Sequence, residues 1–409
     1  MQVIIHGWSD ESRSFDNLAA YLKSRGGPVT DLYLGDYISM DDEVTFDDVC
    51  SAMDKAWTES QLPTAPRSVD VVVHSTGALV VRHWMTQCHS PATNPIHRFL
   101  MLAPANFGSP LAHKGRSFVG RVVKGFKSAK RFQTGAHILK GLELASPFSF
   151  HLALRDRFGR QRWYGPGQVL ATVIVGTDGY SGISAAANED GSDGTVRVST
   201  ANLNPLLVSM DFSNDPLNPK LKPSRPKGKT AFFRVAGLNH STVALKDLRV
   251  KEADELRQLI DRSLSVEDDD FDAFCAESEA YSDRVRQAQS DKRYTQAYQN
   301  TVVHLADSAQ SDVTDYFIEL FAKRSNNDNA SDVDERVTAK LQESVLHKVH
   351  TYGDNSSYRS LYFNVDRLNK VLIDQGKDLY IAVTAMPDLS TDSVVGYRTM
   401  GYNDIGSIR

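Results

Sequence analysis

This chain of 409 residues has few cysteines, no long apolar run and no strong excess of one charge. No apolar run approaches the roughly 18 residues of a membrane-spanning helix, and the N-terminus lacks the basic-then-apolar pattern of a secretory signal. We therefore expect a cytoplasmic protein with no transmembrane segment, and export by a signal-independent route stays an alternative. The formal net charge of −5 is too small to indicate a polyanionic partner for the whole molecule, and we expect no nucleic-acid binding.

Cysteine occurs three times, as Cys50, Cys88 and Cys275. These positions are far apart in the sequence, so they predict neither a disulfide framework nor a metal-binding knuckle. Such sparse use of cysteine is typical of a reducing compartment. Because the chain also has no H-E-x-x-H motif, we expect no metal and no other cofactor. A structural ion in the acidic turn at 188–193 stays an alternative.

The first 250 residues alternate short apolar runs with helical patterns. The apolar runs, which are typical of buried parallel strands, lie at 3–5, 32–34, 69–73, 98–102, 169–175 and 232–235. Alternation of strands and helices with short links predicts an α/β domain, in which a mostly parallel sheet is flanked by helices. A helix at 250–264 would close this domain.

The C-terminal part of the chain has a different pattern. The acidic block Glu267 to Asp270 opens a charged and polar stretch, which we interpret as a linker or exposed helix over 265–293. Beyond it, short β-type runs are separated by polar turns, at 301–305, 316–321, 345–352, 361–365, 379–384 and 394–399. Runs of this length predict an all-β, sandwich-like antiparallel domain over 294–409.

A sharp strand-to-helix turn carries the most informative motif, Val73-His74-Ser75-Thr76-Gly77. It matches the G-x-S-x-G nucleophile elbow, except that Val73 stands in place of the first glycine. Such an elbow exposes its serine at the tip of a parallel strand, and the N-terminus of the following helix directs backbone N–H groups toward the atom that the serine attacks. Ser75 is therefore the candidate nucleophile, and a helix N-cap is the competing interpretation.

Two later segments supply candidates for the other members of a Ser-Asp-His triad. Asp193 opens the sequence D-G-T-V, and His240 follows the last predicted strand of the α/β domain. His240 would accept the proton of Ser75, and Asp193 would orient the imidazole. Asp178 and Asp190 also lie in turns after the strand at 169–175, and they stay alternatives for the acid.

The first predicted strand leads directly into His6-Gly7-Trp8. In an elbow enzyme, a loop at this point supplies one backbone N–H of the oxyanion hole, and the residue after the nucleophile supplies the other. We therefore predict that the N–H groups of Trp8 and Thr76 stabilise the negative oxygen that develops during acyl transfer.

With these motifs the chain resembles the α/β-hydrolase superfamily, and within it the bacterial lipases and esterases. The resemblance is carried by His6-Gly7, by the D-G-T-V that begins at Asp193, and by the loop A-P-A-N-F-G-S-P that begins at Ala103. It covers about residues 1–262. It implies an α/β-hydrolase catalytic domain over 1–264 with a helical lid or cap insertion at about 109–165, and it does not extend to the C-terminal part.

A basic stretch at 114–131 lies inside the expected insertion and contains no acidic residue. Its apolar residues share one face of a helix, and most of its basic residues lie opposite. The basic residues are Lys114, Arg116, Arg121, Lys124, Lys127, Lys130 and Arg131. Two interpretations stay open. The helix either covers the acyl pocket, or it makes transient contact with the headgroups of a lipid surface.

Three hypotheses for the function follow from the sequence. The main one is a serine carboxylic-ester hydrolase, an esterase or lipase, which works through an acyl-enzyme intermediate. The second is a phospholipase that degrades membrane lipids, for example as an antibacterial effector. The third is a catalytically weak hydrolase fold used for binding, and the branched side chain of Val73 in the elbow is the reason to retain it.

Overall fold

A computed structural model describes residues 1–5, 15–39, 41–112, 135–215, 219–247, 249–288, 297–324, 333–372, 376–386 and 407–408. The chain divides into two compact units. The first unit comprises Met1–Pro205 and Arg225–Thr295, and the second comprises Leu206–Ser224 and Gln296–Arg409. Among the described helices, none has the length and apolar character needed to cross a membrane.

The strands and helices are numbered in chain order. The strands are β1 (Gln2–Ile5), β2 (Val29–Leu32), β3 (Val69–His74), β4 (Ile96–Leu102), β5 (Leu170–Gly176), β6 (Leu207–Asp211), β7 (Lys220–Ser224), β8 (Ala231–Val235), β9 (Tyr298–His304), β10 (Asp315–Arg324), β11 (Leu346–Thr351), β12 (Tyr358–Asn364), β13 (Lys377–Met386) and β14 (Ser407–Ile408). The helices are α1 (Asp16–Ser24), α2 (Phe46–Glu59), α3 (Gly77–Cys88), α4 (Ala136–Leu142), α5 (Pro147–Asp156), α6 (Val198–Ala201), α7 (Ala253–Ser263), α8 (Asp268–Ala288), α9 (Glu335–Lys340) and α10 (Val365–Val371).

The first unit is built on a six-stranded parallel sheet with the order β2-β1-β3-β4-β5-β8. Side chains along its central strands alternate between two apolar cores, one on each face. Val71 and Val73 enter the core formed with α2 and α3, whereas Val72 enters the core formed with α1, α7 and α8. Because both faces of the sheet are covered, its strands appear in the sequence as continuous apolar runs. The predicted parallel sheet flanked by helices is confirmed.

Helix α8 occupies most of the stretch that we interpreted as a linker or exposed helix at 265–293. Its buried residues Phe271, Phe274 and Cys275 join the core of the first unit. Ser278 and Ser282 accept hydrogen bonds through their hydroxyl oxygens from backbone N–H groups of the edge strand β8, at 3.0 and 3.1 Å. The helix thus covers the open edge of the sheet, so it is a part of the first unit and not a linker.

The insertion expected at about 109–165 is described only in part. Helices α4 and α5 lie within it, and α5 starts with the N-cap Ser146 followed by proline, a favoured helix start. The basic helix predicted at 114–131 lies outside the described residues.

The second unit contains the β6–β7 hairpin and two three-stranded antiparallel sheets, with the orders β10-β13-β14 and β11-β12-β9. The prediction of antiparallel β structure in the C-terminal part is confirmed. The predicted strand at 394–399 lies outside the described residues.

The sequence analysis missed short helices in the second unit. Helix α9, a π-helical turn at Leu341–Val345 and helix α10 border a small core of Ala322, Val337, Leu341, Val345 and Leu372. These helices are too short for apolar periodicity to reveal them. The available signals were their N-caps, because Asp334 and Asn364 each accept a hydrogen bond from the first turn of α9 or α10.

Candidate active site

Ser75 lies between the end of β3 and the start of α3, in a backbone conformation that is strained for a residue other than glycine. Its φ angle is +55°. The strain is sustained by the loop after β4, because Ser75 N–H donates to the carbonyl oxygen of Leu102 at 3.0 Å and Ala105 N–H donates to that of Ser75 at 3.2 Å. Ser75 is only partly buried.

Val73, at the position of the missing elbow glycine, is accommodated in the core. Its side chain is 1% exposed, and it packs toward Gly77 on the other side of the turn. A Cβ atom placed on Gly77 would lie 3.3 Å from Cβ of Val73, which is a tight contact. The remaining glycine of the motif therefore provides the space that the valine occupies, and the elbow keeps its conformation.

Ser75, His240 and Asp193 form a chain of two hydrogen bonds. Nε2 of His240 lies 3.1 Å from Oγ of Ser75, and Nδ1 lies 3.0 Å from Oδ2 of Asp193. A carboxylate only accepts, so Nδ1 carries the hydrogen and Nε2 is left to accept the hydrogen of the serine. Residues separated by 165 positions in the chain are thus brought into the geometry that a Ser-His-Asp triad requires.

The Asp193 carboxylate is fully buried and held by the backbone of its own turn. Its Oδ1 atom accepts hydrogen bonds from the N–H groups of Thr195 at 2.9 Å and Val196 at 2.7 Å, which leaves Oδ2 directed at His240. Gly194 has a φ of +96°, and a Cβ there would lie 2.6 Å from the ring of Tyr180. The D-G-T-V sequence is therefore a compact carboxylate-holding turn.

The alternative acids are arranged differently. Oδ1 of Asp178 accepts a hydrogen bond from Gly237 N–H at 3.1 Å, so this side chain braces the loop that leads to His240. Asp190 is buried in the turn before Asp193. Of the three candidate carboxylates, the one in contact with His240 is Asp193.

A buried ion pair stabilises the turn that contains Asp193. Arg197 donates through Nε and Nη2 to the two carboxylate oxygens of Glu189, at 2.7 and 3.1 Å. Ser109, from the loop after β4, donates to the carbonyl oxygen of Thr195 at 2.6 Å. The sequence analysis did not find these residues, because nothing in their local sequence indicates that they face each other.

His74 contacts the base directly. Its Nε2 atom lies 2.8 Å from the carbonyl oxygen of His240, and the two imidazole rings are 4.6 Å apart. No role for His74 was predicted from the sequence. Its place next to Ser75 was the available signal.

Of the two residues predicted to donate to the oxyanion, Thr76 lies among the described residues. Thr76 lies at the N-cap of α3, and among the described residues its N–H has no hydrogen-bond acceptor. The positive end of the helix dipole lies at this position and favours a negative oxygen. Trp8 lies outside the described residues.

Helix α3, which follows the elbow, is anchored by a buried ion pair. Arg82 and Asp156 are both fully buried and form a two-pronged contact at 2.8 and 3.0 Å. The Tyr164 hydroxyl donates to the same carboxylate at 2.8 Å, and burial raises the pKa of Tyr164 above its ordinary value. Arg82 also donates to the carbonyl oxygen of Asn106 at 3.1 Å, which ties the helix to the loop after β4.

Potential metal ligands are not clustered in the described parts of the chain, where no group of three or more His, Cys, Asp and Glu residues is placed to hold an ion. In the acidic turn at 188–193, Asn188 forms hydrogen bonds with the backbone of Tyr180 at 2.7 and 2.8 Å, and Glu189 is paired with Arg197. These side chains already stabilise the turn by themselves.

The parallel sheet, the strained serine after β3 and the histidine after the last strand of the sheet define an α/β-hydrolase fold, which confirms the fold that the sequence resemblance implied. Among solved structures, the chain is similar to phospholipase PlaB from Legionella pneumophila, with a TM-score of 0.78 and 21% identity over 100% of this chain and 91% of that one. PlaB in complex with thio-NAD has a TM-score of 0.74 and 21% identity, over 96% and 86% of the two chains.

Similarity to the Bacillus licheniformis lipase BlEst2 is lower, with a TM-score of 0.40 and 12% identity over 65% of this chain and 91% of that one. No protein-family model and no curated protein matches the chain.

Proposed function

We propose that the protein is a serine ester hydrolase in which Ser75, His240 and Asp193 are the catalytic triad. The observation that carries this proposal is the pair of hydrogen bonds that links a strained, accessible serine to a buried carboxylate through one imidazole. A helix N-cap would explain neither the positive φ of Ser75 nor the contact with His240, since an N-cap residue has extended backbone angles and bonds to its own helix.

The proposed reaction has two halves. Oγ of Ser75 attacks the ester carbonyl carbon while Nε2 of His240 takes the hydroxyl proton, and the protonated imidazole then gives this proton to the departing alcohol. Asp193 stabilises the imidazolium and keeps Nδ1 protonated. Thr76 N–H donates to the oxygen of the tetrahedral intermediate. A water molecule, activated by the same His240, then hydrolyses the acyl-enzyme.

Hydrolysis of a short p-nitrophenyl ester tests this proposal. We expect Ser75→Ala to lower kcat by at least about 10³-fold, while Ser51→Ala, at an exposed position of α2, leaves it unchanged. A fluorophosphonate probe should label wild type on the peptide that contains Ser75 and should not label Ser75→Ala. If Ser75 is not labelled and Ser75→Ala keeps the full rate, the catalytically weak hydrolase becomes the better description.

A phospholipase is the second candidate function, and the surface of the β6–β7 hairpin favours it. Val208 pairs with Pro223, and Met210 pairs with Leu221, so these four side chains lie on one face of the hairpin. Leu206, two residues before Val208, continues this face. Leu206, Val208 and Leu221 are 59%, 45% and 41% exposed.

The opposite face of the hairpin is polar. Lys220 and Lys222 are exposed there, and Lys222 pairs with Ser209. A cluster of exposed apolar side chains on one face suits the apolar interior of a lipid surface. The overall similarity to a protein called a phospholipase is in line with this substrate class.

Hydrolysis of lipid vesicles, compared with hydrolysis of a soluble ester, distinguishes a phospholipase from a simple esterase. We expect Val208→Ser/Leu221→Ser to reduce hydrolysis of vesicles containing phosphatidylglycerol by about tenfold, since two partly exposed apolar side chains are lost from the interface, and to leave hydrolysis of the soluble ester unchanged. Ser209→Ala, on the opposite face of β6, is the matched control. Equal loss on both substrates would show damage to the fold, and no loss on vesicles would argue against interfacial binding by the hairpin.

A further inference from the structure

Two of the three cysteines meet in the first unit although they are 38 positions apart. Sγ of Cys50, in the middle of α2, lies 3.4 Å from Sγ of Cys88, the last residue of α3. Cys50 is 6% exposed, whereas Cys88 lies at the surface. Their separation in the sequence indicated no disulfide, but the packing of two helices makes them neighbours.

The contact is fixed by the helices on which the two thiols lie. The rings of Trp57 on α2 and Trp84 on α3 are 4.9 Å apart, about two turns from Cys50 and one turn from Cys88. His83, next to Trp84, is 2.8 Å from the carboxylate of Asp47, one turn before Cys50. These contacts hold α2 against α3 and keep the two sulfurs together.

We propose that Cys50 and Cys88 form an oxidative modification site, at which a peroxide converts the two thiols into a reversible intramolecular disulfide. Sulfurs in a disulfide are about 2.0 Å apart, so the two sulfurs, now 3.4 Å apart, need to approach by only about 1.4 Å to bond. Cys275 takes no part, because it is buried on α8 in the core on the opposite face of the sheet.

The reaction proceeds in two balanced steps. The accessible Cys88 thiolate attacks hydrogen peroxide, so an S–O bond forms, the O–O bond breaks and hydroxide leaves. The Cys50 sulfur then attacks the sulfenic sulfur of Cys88, so the S–S bond forms and the S–O bond breaks. The hydroxide released in each step takes up one thiol proton. In total, two thiols lose two electrons and two protons, and one peroxide becomes two waters.

Burial raises the pKa of both thiols. The pair is therefore protonated at neutral pH and reacts slowly, which suits a site that stays reduced until an oxidant accumulates.

The disulfide would enclose residues 50–88, a segment that contains β3, Ser75 and the whole of α3. Closing a loop of this length restricts the unfolded chain and stabilises the folded unit. The cross-link lies at the end of α3 away from Ser75, about 18 Å along the helix. If Ser75 is the nucleophile, as proposed above, oxidation should protect the enzyme from heat and leave its rate on a soluble ester unchanged.

The test is to treat the whole protein with hydrogen peroxide and compare it with a sample reduced by dithiothreitol. We expect a non-reducing digest to contain a linked Cys50–Cys88 peptide, in wild type and in Cys275→Ser, from a monomeric band. The melting temperature should rise by about 5 °C or more on oxidation and return on reduction. Both readouts are independent of catalysis, so they stand even if the ester-hydrolase proposal fails.

Cys50→Ser and Cys88→Ser are the controls, and each should lack the linked peptide and the thermal shift. Cys88→Ser changes a surface residue, so it remains informative if Cys50→Ser folds poorly. Absence of the linked peptide in oxidised wild type would overturn the proposal. A linked Cys50–Cys88 peptide found only in a dimeric band of oxidised wild type would also overturn it, since that result means pairing between two copies.

Discussion

Nε2 of His74 lies 2.8 Å from the carbonyl oxygen of His240, so the residue before the candidate nucleophile holds the backbone of the candidate base. A carbonyl oxygen only accepts, and Nε2 of His74 therefore carries a hydrogen. The contact joins the elbow to the loop after β8, and it fixes the distance between Ser75 and His240.

His74→Phe should lower kcat on a soluble ester by about tenfold, because it removes one hydrogen bond that positions His240 while it keeps a ring of similar shape. His74→Gln places a donor at a similar distance from Cα, so it should recover part of the loss. Steady-state kinetics and melting temperatures of the three proteins check this. Equal rates for His74→Phe and wild type would remove the positioning role.

Asp193→Asn should lower kcat by on the order of 10³- to 10⁴-fold, since the amide neither keeps the His240 tautomer nor stabilises the imidazolium. Asp178→Asn is the matched control, because it makes the same change in the neighbouring loop, away from the imidazole. The measurement is kcat for both variants at neutral pH. A larger loss in Asp178→Asn would transfer the role of the acid to that residue.

Val73→Gly should lower the free energy of unfolding by about 2–3 kcal/mol, because it removes a fully buried side chain and adds backbone freedom. Although it restores the usual elbow sequence, it should not raise kcat, since the valine already fits beside Gly77. Urea unfolding tests the predicted loss of stability, and ester kinetics test the predicted lack of a gain in kcat. A clear gain in kcat would mean that Val73 distorts the elbow.

Gly77→Ala probes the same contact from the other side. Its new Cβ would lie 3.3 Å from Cβ of Val73 and 3.4 Å from the carbonyl oxygen of Ile5, so it should destabilise the fold. In the Val73→Gly background the cost of Gly77→Ala should be smaller, because one of the two tight contacts is gone. Unfolding free energies of the double-mutant cycle measure this coupling, and additive values would contradict it.

The pH dependence of stability should reflect Asp268 at the start of α8. Its hydrogen bonds with Arg67, at 2.7 and 2.8 Å, lower the pKa of this carboxyl, and a hydrogen bond from Gly167 N–H acts in the same direction. A group whose pKa is lower in the folded state stabilises the fold above its unfolded pKa of about 3.9. This contribution is lost as the pH falls through the lower folded value.

Asp268→Asn should therefore destabilise the protein by about 1 kcal/mol or less at pH 7, as is usual for a partly exposed pair. The difference from wild type should shrink as the pH falls below the unfolded pKa of about 3.9 and vanish only below the lower folded pKa. Asp269→Asn removes the same charge from the same helix turn but not the Arg67 contact. Urea unfolding between pH 7 and pH 3 checks both, and an equal effect of the two substitutions would point to the helix dipole instead.

The sequence by itself determined the parallel sheet, the turn after β3 and the chain order of the candidate triad. Buried strands appear as apolar runs, and an elbow is a local event in which a serine must leave a strand and enter a helix. Both features depend on residues that are neighbours in the sequence, so they can be predicted before the tertiary structure is known. It also predicted Asp193 as the residue that orients the imidazole, but it left Asp178 and Asp190 as alternatives.

Only the tertiary structure decided which of those carboxylates faces His240, because all three lie in polar turns after the same strand. It also decided that α8 closes the edge of the sheet, that His74 supports His240, and that Cys50 meets Cys88. Each of these depends on a contact between segments that are distant in the chain. Packing of helices and loops on the sheet sets such contacts, and no local pattern of residue types encodes them.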